Sequence, residues 1–258
     1  MKWNAELYEN FGKERLQPAI DLVNRIPDGD YKRIVDIGCG SGMSTFPLRQ
    51  RFSEAEIIGV DSSCEMLEKA KSMDNNQFKI RWELRDCSRS LDDLGKFDLV
   101  FSNAFLQWLR EQEQFLERVS HMLNTGGILA LQVPNYDNMP IKRCIDEIVA
   151  QYGHRFDEVQ KSMCHNYTMK EYYDMLCRYF DEVTIWQTNY AHVMENHEEI
   201  VKFMSATGLR PYFEYMSEEE QAQMSKELIK KLAVVYPLQE NGKVLFPFKR
   251  IEFVTVQS

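Results

Sequence analysis

Ile34-Val35-Asp36-Ile37-Gly38-Cys39-Gly40-Ser41-Gly42 decides the fold of this chain. Ile34, Val35 and Ile37 are the apolar, β-branched residues of a buried strand. Gly38, Gly40 and Gly42 let the backbone turn tightly and approach a ligand with no Cβ in the way. From Met43 to Phe52 the pattern is helical. Strand, glycine turn and helix form the first half of a βαβ unit, the usual seat of a nucleotide-like cofactor.

The glycine spacing selects the cofactor. A dinucleotide fingerprint is G-x-G-x-x-G, with its pyrophosphate on the helix N-terminus. Here the glycines fall at every second position and Asp36 precedes the first. A carboxylate beside the turn repels a pyrophosphate and suits a cofactor carrying a cation. S-adenosylmethionine (SAM) carries a sulfonium and an ammonium. A second strand, Ile57-Ile58-Gly59-Val60, ends at Asp61, where an acid accepts hydrogen bonds from both ribose hydroxyls.

The stretch Asp36 to Gly42 resembles motif I of the class I SAM-dependent methyltransferases. Val60-Asp61-Ser62-Ser63-Cys64-Glu65-Met66-Leu67, Phe101-Ser102-Asn103-Ala104-Phe105-Leu106-Gln107-Trp108-Leu109 and Thr207-Gly208-Leu209-Arg210-Pro211 narrow the resemblance to the trans-aconitate methyltransferases. Tyr236-Pro237-Leu238-Gln239-Glu240-Asn241-Gly242-Lys243-Val244-Leu245 does the same. The similarity runs from near Trp3 onward, with a weaker patch at 137–168.

The chain has 258 residues, 44% hydrophobic and 28% charged, enough for one α/β domain with an elaboration. The net charge of −9 and the absence of a long basic run argue against a nucleic-acid partner. An acidic protein binds an acidic substrate only through a few locally placed cations. The six cysteines show no CxxC spacing, so neither a zinc ribbon nor a thioredoxin-like motif is indicated and no metal is expected. Scattered cysteines suggest reduced thiols. With no signal-like or 18-residue apolar run, a cytoplasmic protein without a membrane partner is expected.

The order β-α-β-α-β-α-β-α-β through Val133 predicts a Rossmann-like α/β fold. The expected sheet is seven-stranded and mostly parallel, with one antiparallel strand and a helical cap inserted before it. We expect a single domain, with N-terminal helices at 1–30 whose lid role the resemblance implies, a SAM-binding core at 31–190, a helical cap at 191–242 and the final strand at 243–258. The third strand is predicted over Gln77–Leu84. A helix over Glu111–Leu123 is predicted to end in a glycine C-cap at Asn124-Thr125-Gly126-Gly127. Gly153 to Tyr167 reads as polar and irregular.

The resemblance implies the site residues. Asp36, Gly38, Gly40 and Gly42 belong to the cofactor loop, and Asp61 and Ser62 to the ribose end. Met66 is expected to flank the adenine, with Asp86 on its amino group and the Cys87 N–H on a ring nitrogen. Asn103, Ala104 and Trp108 follow the fourth strand, where the fold presents its substrate-facing loop. That loop lacks the Asn/Asp-Pro-Pro-aromatic sequence usual for methylation of bases or amides, which disfavours those substrates.

A carboxylate is already ionised at neutral pH and needs no general base. No catalytic acid or base is therefore expected, only positioning residues. For a small polycarboxylate such as trans-aconitate, the other carboxylates must be gripped, and arginine forks do this best. Arg210 is the first candidate and Arg15 the second, with Tyr8, Gln107, Tyr190 and His192 as further hydrogen-bond partners. The resemblance supplies the acceptor, and the activity it implies is carboxyl O-methylation; the motif chemistry alone supplies only the cofactor. The alternatives are another acid, such as a malonyl thioester, or a non-catalytic SAM-binding protein.

Overall fold

The computed structural model describes residues 12–75, 77–89, 91–163 and 166–257. The first expected lid helix, with Tyr8, lies outside them.

The chain opens with α1 (Gly12–Arg25) and then alternates: β1 (Arg33–Ile37), α2 (Thr45–Arg51), β2 (Glu56–Asp61), α3 (Cys64–Asp74), β3 (Arg81–Leu84) and β4 (Phe97–Asn103). Next come α4 (Gln112–Met122), β5 (Leu123–Pro134), α5 (Pro140–Val149), α6 (Asp157–Ser162), α7 (Met169–Leu176) and β6 (Glu182–Met194). The helices α8 (His197–Ser205), α9 (Arg210–Phe213) and α10 (Glu218–Val235) precede β7 (Val244–Val256). The seven strands form one sheet in the order β3-β2-β1-β4-β5-β7-β6. The pairs β1–β2, β1–β4, β2–β3 and β4–β5 are parallel. β7 runs antiparallel to β5, from Ile128↔Val256 to Pro134↔Arg250. The expected α/β fold, with its antiparallel last strand and preceding helices, is the one observed.

Two compact units divide the chain. The larger comprises Lys13–Pro134, His165–Thr188 and Arg250–Ser258. Its strands alternate between two apolar layers. Val35, Ile37, Val100, Leu129, Leu131, Val133, Ile251 and Phe253 pack with Phe115 and Val119 of α4 and Tyr172 of α7. On the opposite face Ile34, Leu99, Phe101, Ile128, Ala130 and Val254 pack with Leu22 and Ile26 of α1 and Leu48 of α2. Each residue shifts face from its neighbour because the strand repeat is two. The smaller unit draws on Asn135–Cys164 and Asn189–Lys249 and has its own core. There Ile145 and Ile148 of α5 meet Ile200, Leu228, Leu232 and Phe246.

Three local expectations are corrected. β3 begins at Arg81 rather than Gln77. The buried Asp74 carboxylate accepts hydrogen bonds from Phe78 N (2.8 Å) and Trp82 Nε1 (3.0 Å), which holds the preceding residues in a turn. α4 has no glycine C-cap: Leu123 turns straight into extended backbone and already pairs with Phe97. Gly126 instead takes φ +76° inside β5, beside the register shift between Phe97 and Leu99. The stretch read as irregular from Gly153 takes in the end of a 3-10 segment, Ala150–Phe156, which kinks at Gly153 (φ +59°), and then α6. No described helix is long and apolar enough to cross a membrane.

Candidate functional site

The glycine loop leaves the end of β1 and is tied to the next strand. Gly38 N and Cys39 N both donate to Val60 O, at 2.9 and 3.1 Å. Gly40 N donates to Asp61 Oδ2 at 2.9 Å, and Ser63 N donates to Asp61 Oδ1 at 2.8 Å. One carboxylate thus fastens the loop to the start of α3. Ser63 then caps α3 by accepting from Met66 N, while Ser62 is exposed.

The glycines differ in what they permit. Gly38 has φ +74°, and a Cβ there would lie 2.4 Å from Phe105 Cγ. Gly40 has φ +54°, and a Cβ there would meet nothing within 4 Å. Packing therefore requires glycine at 38, while open space faces the chain at 40. Gly42, with φ +82°, backs onto Trp82.

Asp36 is fully buried at the carboxyl end of β1. Its Oδ2 accepts from Ser44 Oγ (3.0 Å) and Thr45 Oγ1 (2.7 Å) at the start of α2. Its Oδ1 is buried and has no partner. Burial pushes the Asp36 carboxyl up to about 7, the two hydroxyls opposing and Asp61 adding to the rise. A buried acceptor without a donor costs free energy until a ligand donor reaches it. This orphaned oxygen and the open face of Gly40 fit a cofactor carrying a cationic, hydrogen-donating group.

Past β4 the loop is fixed by its own backbone. Ala104 takes φ +56°, and its N–H donates to Gln132 O at 2.9 Å. Gln107 Nε2 donates to Ala104 O at 2.7 Å, leaving Gln107 Oε1 buried without a partner. Asn103 Oδ1 is in the same condition. Trp108 ends a 3-10 turn and is half-buried.

The expected adenine residues are placed differently from one another. Met66 is buried among core residues of α3. Asp86 is exposed, and its carboxylate accepts from Ser88 Oγ (2.6 Å) and Ser88 N (3.1 Å) and pairs with Arg89. Those contacts hold its carboxyl below the usual range. Cys87 is buried, and desolvation pushes its thiol up to about 12, so it stays neutral. Arg15 falls in α1, but its side chain is outside the described ones.

In the smaller unit, Arg210 opens α9, and its Nε lies 3.2 Å from Glu214 Oε1. Tyr190 stacks on the buried His192, which also packs against Phe203, Phe246 and Phe248. Among the described residues no group of three His, Cys, Asp or Glu side chains is placed to hold a metal ion.

Two features escaped the sequence reading. Ser44 and Thr45 hold Asp36, a role legible only as two hydroxyls opening the helix after the glycines. Gln132 and Glu252 lie in buried strands, and their one sequence signal is a polar residue inside an apolar run.

A family model described as "Methyltransferase domain" matches residues 28–200. A trans-aconitate 2-methyltransferase of Escherichia coli is 35% identical over 258 residues, which cover 98% of this chain and 97% of that protein. Among solved structures, the YcgJ protein of Bacillus subtilis aligns with a TM-score of 0.61 at 16% identity, over 93% of this chain and 98% of that one. A phosphoethanolamine N-methyltransferase 2 of Haemonchus contortus, in complex with SAM, aligns with a TM-score of 0.62 at 14% identity, over 97% of this chain and 56% of that one. At such identities the two structures speak for the fold alone.

Proposed function

The chain belongs to the methyltransferase-domain family, and from that premise we propose that it moves a methyl group from SAM to a carboxylate of a small polycarboxylic acid, trans-aconitate foremost. The observation that carries the cofactor half is the buried Asp36 with its unpartnered Oδ1 beside the open face of Gly40. The near full-length likeness to a trans-aconitate 2-methyltransferase supports the acceptor.

SAM, when bound, supplies an electrophilic methyl on a sulfonium centre. Asp36 offers its free oxygen to the cationic end, and Asp61 offers the remaining lone pairs of its carboxylate to the ribose. Gly38, Gly40, Gly42, Ser62, Met66, Asp86, Cys87, Asn103, Ala104 and Trp108 complete the proposed cofactor set. The acceptor oxygen is already ionised at neutral pH, so no side chain has to remove a proton. The protein's part is to hold that oxygen in line and keep water away.

Arg210, Arg15, Tyr8, Gln107, Tyr190 and His192 are the proposed acid-binding residues. Arg210→Ala should lower kcat/KM for the acid by about one to two decades while SAM affinity stays within about twofold. Loss of SAM binding as well, or loss of folding, would give Arg210 a structural role instead.

A screen of tritiated-methyl transfer from SAM over di- and tricarboxylates tests the activity, with base-labile label as the signature of an ester. Base-labile product on a tricarboxylate is the expected result. Tight SAM binding without label on any acid would overturn it in favour of a non-catalytic SAM-binding protein.

A further inference from the structure

The face of the sheet that carries Leu99, Phe101, Ala130 and Val254 turns polar toward the carboxyl ends of β4 and β5. Asn103 pairs with Gln132, and Gln132 pairs with Glu252, so the three stand side by side across β4, β5 and β7. Arg250 precedes Glu252 by two residues on β7, opposite Pro134. Gln132, Glu252 and Arg250 are 0%, 1% and 6% exposed. Three atoms of this row are buried with no partner: Asn103 Oδ1, Gln132 Nε2 and Glu252 Oε1. Arg250 Nη1 approaches Gln132 Oε1 at 3.4 Å, which orients the amide and leaves Nε2 as the unused donor. Adjacent strands rarely bury unmet donors and acceptors in one row, because each costs its desolvation. Ligands of open α/β sheets bind at this carboxyl edge.

We infer that Gln132 and Arg250, backed by Glu252 and Asn103, form a subsite that grips the third carboxylate of a tricarboxylate substrate, the one that a dicarboxylate lacks. The inference rests on the reading of the chain as a polycarboxylate methyltransferase. Arg250 supplies the cation that an acid-binding protein of net charge −9 must place locally, and Gln132 Nε2 supplies a donor of fixed direction. Glu252 would repel the ligand if ionised. Burial, however, pushes its carboxyl up to about 7, with Thr188 of β6 and Arg250 of β7 opposing the rise and Asp21 of α1 adding to it. In its neutral form Glu252 presents a hydroxyl donor instead. The sequence could not show the row, because Gln132 and Glu252 lie more than a hundred residues apart and meet only through strand register.

The test compares wild type, Gln132→Leu and Glu252→Gln. Methyl-transfer kinetics are run with a tricarboxylate and with an unsaturated dicarboxylate. Calorimetry follows the binding of the tricarboxylate to protein saturated with S-adenosylhomocysteine. Gln132→Leu should raise KM for the tricarboxylate about 10- to 100-fold, change the dicarboxylate KM less than about threefold, and leave the S-adenosylhomocysteine affinity unchanged. Tricarboxylate affinity of wild type should fall about tenfold from pH 6 to pH 8, and Glu252→Gln should flatten that decline. An unchanged KM in folded Gln132→Leu, or an equal loss on both acids, overturns the subsite and leaves a water-filled structural row. If Gln132→Leu does not fold, an unaltered pH profile in Glu252→Gln overturns it alone. Wild type that methylates no acid refutes the proposed activity and the subsite with it. Wild-type turnover with insensitive variants refutes the subsite only.

Discussion

Asp36 is held where water cannot solvate its charge, and its carboxyl is pushed up to about 7 from an ordinary 3.8. Keeping it ionised in the unliganded fold costs on the order of 4 kcal/mol. The sign follows from the raised value: the folded state holds the proton more tightly than the unfolded one. The penalty is therefore absent below about pH 4, grows as pH rises toward 7, and is complete above it. Asp36→Asn should raise Tm relative to wild type at pH 8, and the gain should shrink by pH 5. A cationic cofactor favours the carboxylate, so SAM binding should release a proton near pH 7, and its affinity should rise with pH through that range. Calorimetry in buffers of different ionisation enthalpy reads the proton directly, and Asp36→Asn should abolish it. Asp61 acts differently, because both its oxygens already hold backbone N–H groups of the loop and of α3. Asp61→Ala should weaken SAM binding at least tenfold, measured by titration, through loss of a charged acceptor and loosening of the loop.

At the scale of the element, the strand–loop–helix unit was legible because its signals are local: an apolar run, alternating glycines, then a helical period. The glycines also separate packing from binding. Gly38→Ala should destabilise the protein by about 1–3 kcal/mol, since φ +74° is strained for alanine and Phe105 fills the space. Gly40→Ala should cost less stability, as nothing lies within 4 Å, yet lose more SAM affinity. Chemical denaturation and cofactor titration on the pair distinguish the two roles. What the sequence hid was set by contacts distant along the chain or by side chains competing with the backbone. The Asp74 carboxylate delays β3 by capturing Phe78 N, although alternation from Phe78 to Trp82 reads as strand. Leu123 passes directly from helix to strand because it pairs with Phe97, which overrides the glycine pair as a helix stop. Arg210 and His192 were singled out by resemblance and residue type. Neither signal carries the ion pair to Glu214 or the aromatic cluster around the ring.

For the whole molecule, net charge −9 makes a field that attracts cations and repels acids. SAM carries one net positive charge more than S-adenosylhomocysteine. Raising salt from about 20 to 200 mM should weaken SAM binding about twofold and leave S-adenosylhomocysteine nearly unaffected. Equal salt dependence of the two would show that the field does not reach the site. Two cores, one on each compact unit, share a chain that leaves the sheet unit at 135 and again at 189. The last strand then enters the sheet between β5 and β6. Its seat lies in the interior of the sheet, so β6 finds its neighbour only after the final stretch has been synthesised. A nascent chain still on the ribosome at residue 240 holds β5 with one flank bare. A premature stop codon ahead of Arg250 would leave that flank open permanently, an adhesive edge for other unfinished chains and a mark for proteolysis.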